Sequence, residues 1–392
     1  MVTGLTWAIV ALALTLLTLA SVLLIECVAA LLPLPRREPA LLHETKVAVL
    51  IPAHDEAVSI GATVDALQPQ LREHDRIVVV ADNCSDDTAS FARAAGAEAI
   101  ERTDTSRRGK GYALRYGVES LEEDPPDVII VVDADCRLSE GSIATLAGQA
   151  LDLERPVQAE YTFLPPTRTP LTMISTLALL VRNRVRPRGL RRLGLPCQLT
   201  GSGMAFPWRL MRDAPELRSH LVEDLLLGHE LAIDGAAPFH SIEAQVTSEL
   251  PTGREAALQQ RKRWEHGQLG TLATHGPRLL ALGLRRLDLG LVALGADLMV
   301  PPLALLTGIA VALVGSAGAL VAFGAPTWAL GLSSLALAAI VLSVGLAWVC
   351  HARKEVPFRY LLAAPVYLLW KLPLYLSFSL GKREREWRRT ER

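Results

Sequence analysis

The stretch Asp127-Val-Ile-Ile-Val-Val-Asp133-Ala-Asp135 runs a continuous β-branched segment into two acids spaced one residue apart. Such a run, with no polar alternation, reads as a strand buried on both faces. Residues two apart on an extended chain project to the same side, so Asp133 and Asp135 can face one ligand just past the strand end. Two hard oxygen donors, with substrate phosphates completing the shell, suit Mg²⁺ or Mn²⁺.

The same pattern occurs twice upstream. Residues 46–52 (KVAVLIP) form a strand that ends in Pro52-Ala53-His54-Asp55-Glu56, and residues 76–81 (RIVVVA) form one that ends in Asp82-Asn83-Cys84-Ser85-Asp86. Residues 59–73 and 86–97 carry helical spacing, the second opening with acids that suit the helix dipole. Strands of this kind alternating with helices predict an α/β domain over residues 46–280. Its Rossmann-like, mostly parallel sheet is covered on both faces. Ligands of such sheets bind beyond the carboxyl ends of the strands, which is where these acids lie.

Three further segments carry candidate chemistry. Arg107-Arg108-Gly109-Lys110-Gly111 is basic and glycine-flanked, so Lys110 is a phosphate or sugar contact on a backbone that can approach a ligand closely. Glu223-Asp224 precedes an apolar helical run and reads either as an N-cap pair or as a general base for an acceptor hydroxyl. In Gln260-Arg261-Lys262-Arg263-Trp264, Arg263 can neutralise a leaving diphosphate and Trp264 can stack on an acceptor ring; both can also anchor at a membrane surface. Gly201-Ser202-Gly203 lets backbone pass close to a sugar.

Half of the chain is hydrophobic (50%) and only 21% is charged, a balance that points to a membrane protein. Residues 5–25, 303–323 and 328–349 are long enough to span. Arg36 and Arg37 after the first run, and His351-Ala352-Arg353-Lys354 after the third, place the middle of the chain in the cytosol by the positive-inside rule. The expected organisation is an N-terminal transmembrane helix (1–34), a cytosolic domain (46–280) and a C-terminal membrane region (285–392). That region holds an interfacial helix over 285–300, the hairpin, and a segment over 356–380 broken by Pro365, Lys371 and Pro373. This last segment reads as interfacial or re-entrant, followed by a basic tail from Lys382. Glu26 is expected to reach water at the inner end of its span. The acid-free run Arg182, Arg184, Arg186, Arg188, Arg191 and Arg192 is expected to face lipid headgroups, with guidance of an anionic lipid-linked acceptor as the sharper alternative. Five scattered cysteines make neither a disulfide framework nor a zinc site.

Taken together, these motifs resemble the membrane-anchored family 2 glycosyltransferases: cellulose, chitin-oligosaccharide, hyaluronan and exopolysaccharide synthases. The resemblance implies a GT-A fold and inverting transfer of a sugar from a UDP-sugar to a glycan or lipid-linked acceptor at the inner face of a bacterial-type membrane. It implies that Pro52, Ala53, Glu56, Asp82 and Lys110 hold the nucleotide-sugar, and that Asp135, with Asp133, holds the Mg or Mn ion and the diphosphate. It makes Asp224 the base and gives Glu223, Gln260, Arg263 and Trp264 to the acceptor and diphosphate. Membrane lipids are expected partners; nucleic acid is not. A sugar nucleotidyltransferase would need a glycine-rich loop after the first strand, and Pro-Ala-His-Asp-Glu is not one. A non-catalytic nucleotide-sugar-binding membrane subunit is the alternative; loss of Asp224 or of the Asp133/Asp135 pair would signal it, and all three are present.

Overall fold

Apolar alternation along the central strands puts one hydrophobic core on each face of the sheet. Val47, Val49, Ile51, Val79 and Ile130 enter one core, whereas Ala48, Leu50, Val78, Val80 and Ile129 enter the other. The computed structural model describes residues 2–35, 37, 45–214, 222–251 and 253–380; Arg36 and the basic tail from Lys382 lie outside the described residues.

Helix α1 (Val2–Ala29) leads into β1 (Val47–Ala53), α2 (Ile60–Leu67), β2 (Arg76–Asp82), α3 (Thr88–Ala94), β3 (Glu98–Arg102), α4 (Lys110–Ser120) and β4 (Val128–Val131). Then come β5 (Cys136–Leu138), α5 (Ser142–Leu153), β6 (Val157–Leu164) and α6 (Pro170–Leu180). A π-helical turn at Val181–Val185 joins α6 to α7 (Arg186–Arg192). β7 (Met204–Pro207), α8 (Trp208–Arg212), α9 (Glu223–Ile233), β8 (Phe239–Glu249) and the long α10 (Arg254–Arg286) complete the α/β part. Helices α11 (Leu289–Met299), α12 (Leu303–Ala322), α13 (Trp328–Ala347), α14 (Phe358–Leu361) and α15 (Ala364–Ser379) follow.

The eight strands form one sheet in the order β3-β2-β1-β4-β7-β6-β8-β5. The half built from β3, β2, β1 and β4 is parallel, as the sequence implies. Beyond β4 the sheet is mixed, because β7 runs antiparallel to both β4 and β6, and β5 antiparallel to β8. Two helices are shorter than their periodicity suggests. α2 stops at Leu67, where Pro69 offers no N–H to the α ladder and the chain tightens into a 3₁₀ turn. α3 starts at Thr88 and ends before Gly96, which sits at φ +92°.

Three helices, Gly4–Ala29, Leu303–Ala322 and Trp328–Ala352, are long and apolar enough to cross a membrane. They share a core in which small side chains (Ala20, Ala310, Ala317 and Ala336) allow close helix approach. The 285–300 segment differs from expectation. Arg285 and Arg286 end α10, and α11 starts only at Leu289, capped by Asp288, whose carboxylate accepts from the Leu291 N–H at 3.1 Å. Helices α14 and α15 replace the broken 356–380 segment. On α15 Val366, Leu369, Leu372 and Leu376 face outward, whereas Tyr367, Lys371 and Tyr375 face the protein. An apolar outer stripe over a polar inner one is the pattern of a helix lying along an interface.

Four members of the arginine run, Arg184, Arg186, Arg188 and Arg191, pair with acids of the protein rather than with headgroups. Both carboxylate oxygens of the fully buried Glu160 are taken, by Arg184 Nε at 2.7 Å and Arg188 Nε at 2.5 Å, and Arg191 pairs with Glu243 at 2.8 Å. Arg186 is buried between Glu26 of α1 at 2.6 Å and Asp297 of α11 at 2.5 Å. Glu26 therefore does not reach water: it is 2% exposed and fixes the first apolar helix to α7. Gly189 permits this contact, since a Cβ there would lie 2.0 Å from the Glu26 carbonyl oxygen.

Candidate active site

The carboxyl ends of β1, β2 and β4 open into a cavity of about 380 Å³. It is lined by Pro52, Ala53 and Glu56 after β1, Asp82 at the end of β2, Lys110 at the start of α4, and Asp133 and Asp135 after β4. α10 swings back across the opening and adds Gln260, Arg263 and Trp264. A second cavity of about 140 Å³ adjoins it and contains Glu223 and Asp224; the two share Lys110, Asp133, Arg263 and Trp264. The fold thus gathers all twelve candidates, spread along the chain from Pro52 to Trp264, around two adjoining cavities.

The loops after β1 and β2 are held in unusual conformations. Asp55 and Asn83 both adopt positive φ, 55° and 52°, an arrangement that survives only where neighbours enforce it. Here His54 Nδ1 meets the Asp82 carbonyl at 2.6 Å, Asp55 Oδ1 accepts from the Ser85 N–H at 2.6 Å, and Asn83 Oδ1 accepts from the Asp104 N–H at 2.8 Å. Asp82 itself is buried and accepts from Arg102 Nη1 at 2.6 Å. That partner, twenty residues downstream on β3, fixes the carboxylate where it lines the strand-end cavity.

Lys110 is the electrostatic hub. Its ammonium contacts Asp133 Oδ1 and donates to the Gly201 carbonyl at 2.6 Å. Burial alone would lower its pKa, but Asp133, Glu223 and Asp224 raise it, so it stays charged. Burial also raises both acids at the start of α9, against the pull of Lys110. Glu223 reaches about 7, and Asp224 moves in the same direction. As the first two residues of α9, with Val222 at the N-cap position, they are not a cap pair, and Val222 makes no side-chain cap.

Oxygen atoms of Asp133 and Asp135 lie within 4.8 Å of each other, beside Cys136 Sγ. Burial pushes the Cys136 thiol up to about 12, so it stays protonated and leaves an all-oxygen donor pair. That donor set, open toward the cavity, fits Mg²⁺ or Mn²⁺. Gln260 Oε1 is buried without a hydrogen-bond partner among the described residues and borders the same space.

Several lining residues escaped the sequence. Tyr161 and Phe163 alternate on β6 with rings 4.4 Å apart, and Phe163 packs at 5.2 Å on Trp264, forming an aromatic wall. Period-two spacing of aromatics in Glu160-Tyr-Thr-Phe163 is the signal that marks them. Gly201, at φ +94°, presents bare backbone to the acids, and a Cβ there would sit 3.3 Å from Asp224 Oδ2 and 3.7 Å from Lys110 Nζ. Gly201→Ala is expected to lower kcat/KM by roughly tenfold or more, the equivalent of the ~1–3 kcal/mol typical of an enforced positive φ. An unchanged steady-state kcat/KM would contradict the crowding described here.

Residues 43–267, more than half of the chain, match the family described as glycosyltransferase like family 2, and the chain belongs to that family. The curled, mostly parallel sheet is a GT-A fold, and the protein is a glycosyltransferase. A glucosyl-3-phosphoglycerate synthase of Mycolicibacterium paratuberculosis is 34% identical over 95 residues, spanning 23% of this chain and 28% of that enzyme. The match therefore covers less than a third of the relative's length. The mannosyltransferase PcManGT from Pyrobaculum calidifontis, solved with GDP-mannose and Mn²⁺, is similar in fold at TM-score 0.57 and 17% identity. The similarity covers 96% of this chain and 100% of that one.

Proposed function

We propose that this protein transfers a sugar from a UDP-sugar to a hydroxyl of a glycan or lipid-linked acceptor at the inner face of a membrane, with inversion at the anomeric carbon. The reading rests on one observation: the strand-end cavity and the Asp224 cavity meet at Lys110, Asp133, Arg263 and Trp264. A donor in the first and an acceptor in the second would approach each other there.

In this reading Pro52, Ala53, Glu56 and Asp82 seat the nucleoside. Asp133 and Asp135 hold the divalent metal, which when bound offsets the charge developing on the leaving diphosphate. Lys110 and Arg263 supply further positive charge on the same side. Asp224 takes the proton from the acceptor hydroxyl as its oxygen bonds to the anomeric carbon and the bond to the diphosphate oxygen breaks, releasing UDP. Trp264 and Phe163 give the acceptor ring an apolar face to stack on. The three apolar helices would hold this site against the membrane.

The test is a donor panel. Purified full-length protein is given UDP- and GDP-sugars with Mn²⁺ and membrane lipid extract, and nucleoside diphosphate release is followed. Release from a UDP-sugar that stops with chelator is expected; no release and no binding of any nucleotide-sugar would overturn the reading.

The raised acids give a pH signature. The base works only as carboxylate, and its proton leaves late because burial raises the pKa of this pair. Activity should therefore fall on the acid side at a higher pH than an ordinary aspartate would give, because burial raises the Asp224 carboxyl. Glu223→Gln removes one negative neighbour and should move this acid limb to lower pH. A kcat/KM profile that stays flat from pH ~5 to ~8 would contradict the assignment of a buried carboxylate base.

A further inference from the structure

β2 and β3 end in register, with Asp82 beside Arg102. β3 is the outer strand of the sheet, and its other side chains are half-buried or exposed. The Arg102 side chain departs from that pattern, with only 10% of it exposed. Its Nη1 donates to Asp82 Oδ1 at 2.6 Å and to the Arg107 carbonyl at 2.9 Å, and its Nη2 donates to Asp104 Oδ2 at 3.3 Å. The guanidinium also lies over the Tyr112 ring of α4, 5.7 Å from its centroid. Asp104 in turn gathers the loop before Lys110. Its Oδ1 accepts from the Ser106 and Arg107 N–H groups at 3.0 and 3.1 Å, and its own N–H donates to Asn83 Oδ1 at 2.8 Å. One guanidinium fork thus joins the end of β2 to the loop that leads into Arg108 and Lys110, both of which line the strand-end cavity.

This network decides which atom of Asp82 is offered to a ligand. Oδ1 accepts from both Arg102 and Asn83 Nδ2, the latter at 3.0 Å, and among the described residues Oδ2 accepts from none. An aspartate paired with a guanidinium presents acceptors only. Ala53 pairs with Ala81 across β1 and β2, so Pro52 and Ala53 bring short apolar surface next to this strand end. A single acceptor atom in such surroundings suits one N–H on the edge of a planar ring, whereas the several hydroxyls of a ribose need several partners.

We propose that Arg102 is the positioning residue for nucleobase selection: it turns Asp82 so that Oδ2 meets a ring N–H, the group that uracil and guanine both carry on their Watson–Crick edge. The proposal rests on the sugar-transfer reading above and names the chemistry that chooses the donor's base. Arg102 does not line the cavity and acts through Asp82.

The experiment measures equilibrium binding to the full-length protein in detergent, with Mn²⁺ present. The probes are UDP, GDP, the counterpart of each in which that ring N–H is replaced by N-methyl, and ribose 5-diphosphate, which has no base. Either UDP or GDP is expected to bind roughly tenfold or more tightly than its methylated counterpart and the baseless probe, the scale of one charged hydrogen bond. Which of the two leads separates uracil from guanine. The readout is the ratio of that nucleotide's affinity to the affinity of ribose 5-diphosphate. Arg102→Gln should erase most of this ratio, and Arg102→Lys, which keeps the charge without the fork, should retain part of it. Asp82→Asn should lose it as well, and adding Arg102→Gln to that variant should lower it no further, the non-additivity of residues that act as one unit. A merely structural arginine would weaken all probes alike and leave the ratio standing. That result, or equal binding of parent and methylated nucleotides, would overturn the proposal. Sugar transfer with an unchanged ratio in Arg102→Gln would overturn it while leaving transfer standing. A base preference that needs Arg102, without nucleoside diphosphate release from any nucleotide-sugar, would do the reverse. No binding of UDP or GDP would overturn both.

Discussion

Asn in place of Asp224 is expected to lower kcat by ~10³-fold, within the ~10²–10⁴ that a positioned general base contributes, while donor KM changes little. Asp224 lines the second cavity and not the strand-end one, and in the proposed mechanism it acts on the acceptor hydroxyl only in the transition state, so its loss should fall on kcat. The amide keeps the shape beside Gly201 but cannot take a proton. It also removes a negative neighbour of Lys110 and Arg182, both of which feel its charge. Steady-state kinetics with the donor found in the panel would show the effect. A kcat within a few-fold of wild type, on the same scale, would move the base elsewhere, with Glu223 the next carboxylate in the same cavity.

The second large effect concerns stability. Arg186→Met is expected to destabilise the protein by ~3–5 kcal/mol, because it strands two buried carboxylates without their shared cation. Glu26 is 2% and Asp297 6% exposed, and among the described residues Glu26 Oε1 has no hydrogen-bond partner even with Arg186 in place. Gln198 also donates to Asp297 at 2.9 Å, so part of the Asp297 charge stays compensated. Thermal unfolding in detergent checks this. Adding Glu26→Gln and Asp297→Asn to Arg186→Met should recover much of the loss, the non-additivity expected of groups in one network. A melting temperature unchanged by Arg186→Met alone would show that the α1–α7–α11 junction does not depend on this triad.

The parallel half of the sheet was legible because β1, β2 and β4 are buried on both faces and so read as unbroken apolar runs. The acids at their ends were legible for the same reason, since a strand that stops at Asp82 or Asp133 announces where its ligand edge is. The mixed half was not. β6 carries Gln158 and Glu160 inside the protein, which breaks the hydrophobic signal, and Glu160 can be buried only because Arg184 arrives from the turn before α7 and Arg188 from α7 itself. Pairing of that kind is long-range and leaves no local trace. It also misdirects the reading of the arginines, which look like a solvated or lipid-facing run until their partners are placed. The Gln260–Trp264 motif was readable as chemistry, but its support was not. It lies on α10, a helix of 33 residues whose polar composition hides how far it extends, and Glu265 of that helix is held by Lys371 of α15. A lysine that seemed to interrupt an apolar segment in fact ties the outer helix to the site.

The central claim is a single displacement in which Asp224 activates an acceptor against a metal-bound nucleotide-sugar. The measurement that tests it most directly is the anomeric configuration of the first product, followed by proton NMR as full-length protein turns over its donor with Mn²⁺ and acceptor. The account predicts a β-linked product from an α-linked donor, formed in step with UDP. An α-linked product would require a second displacement and contradict the account.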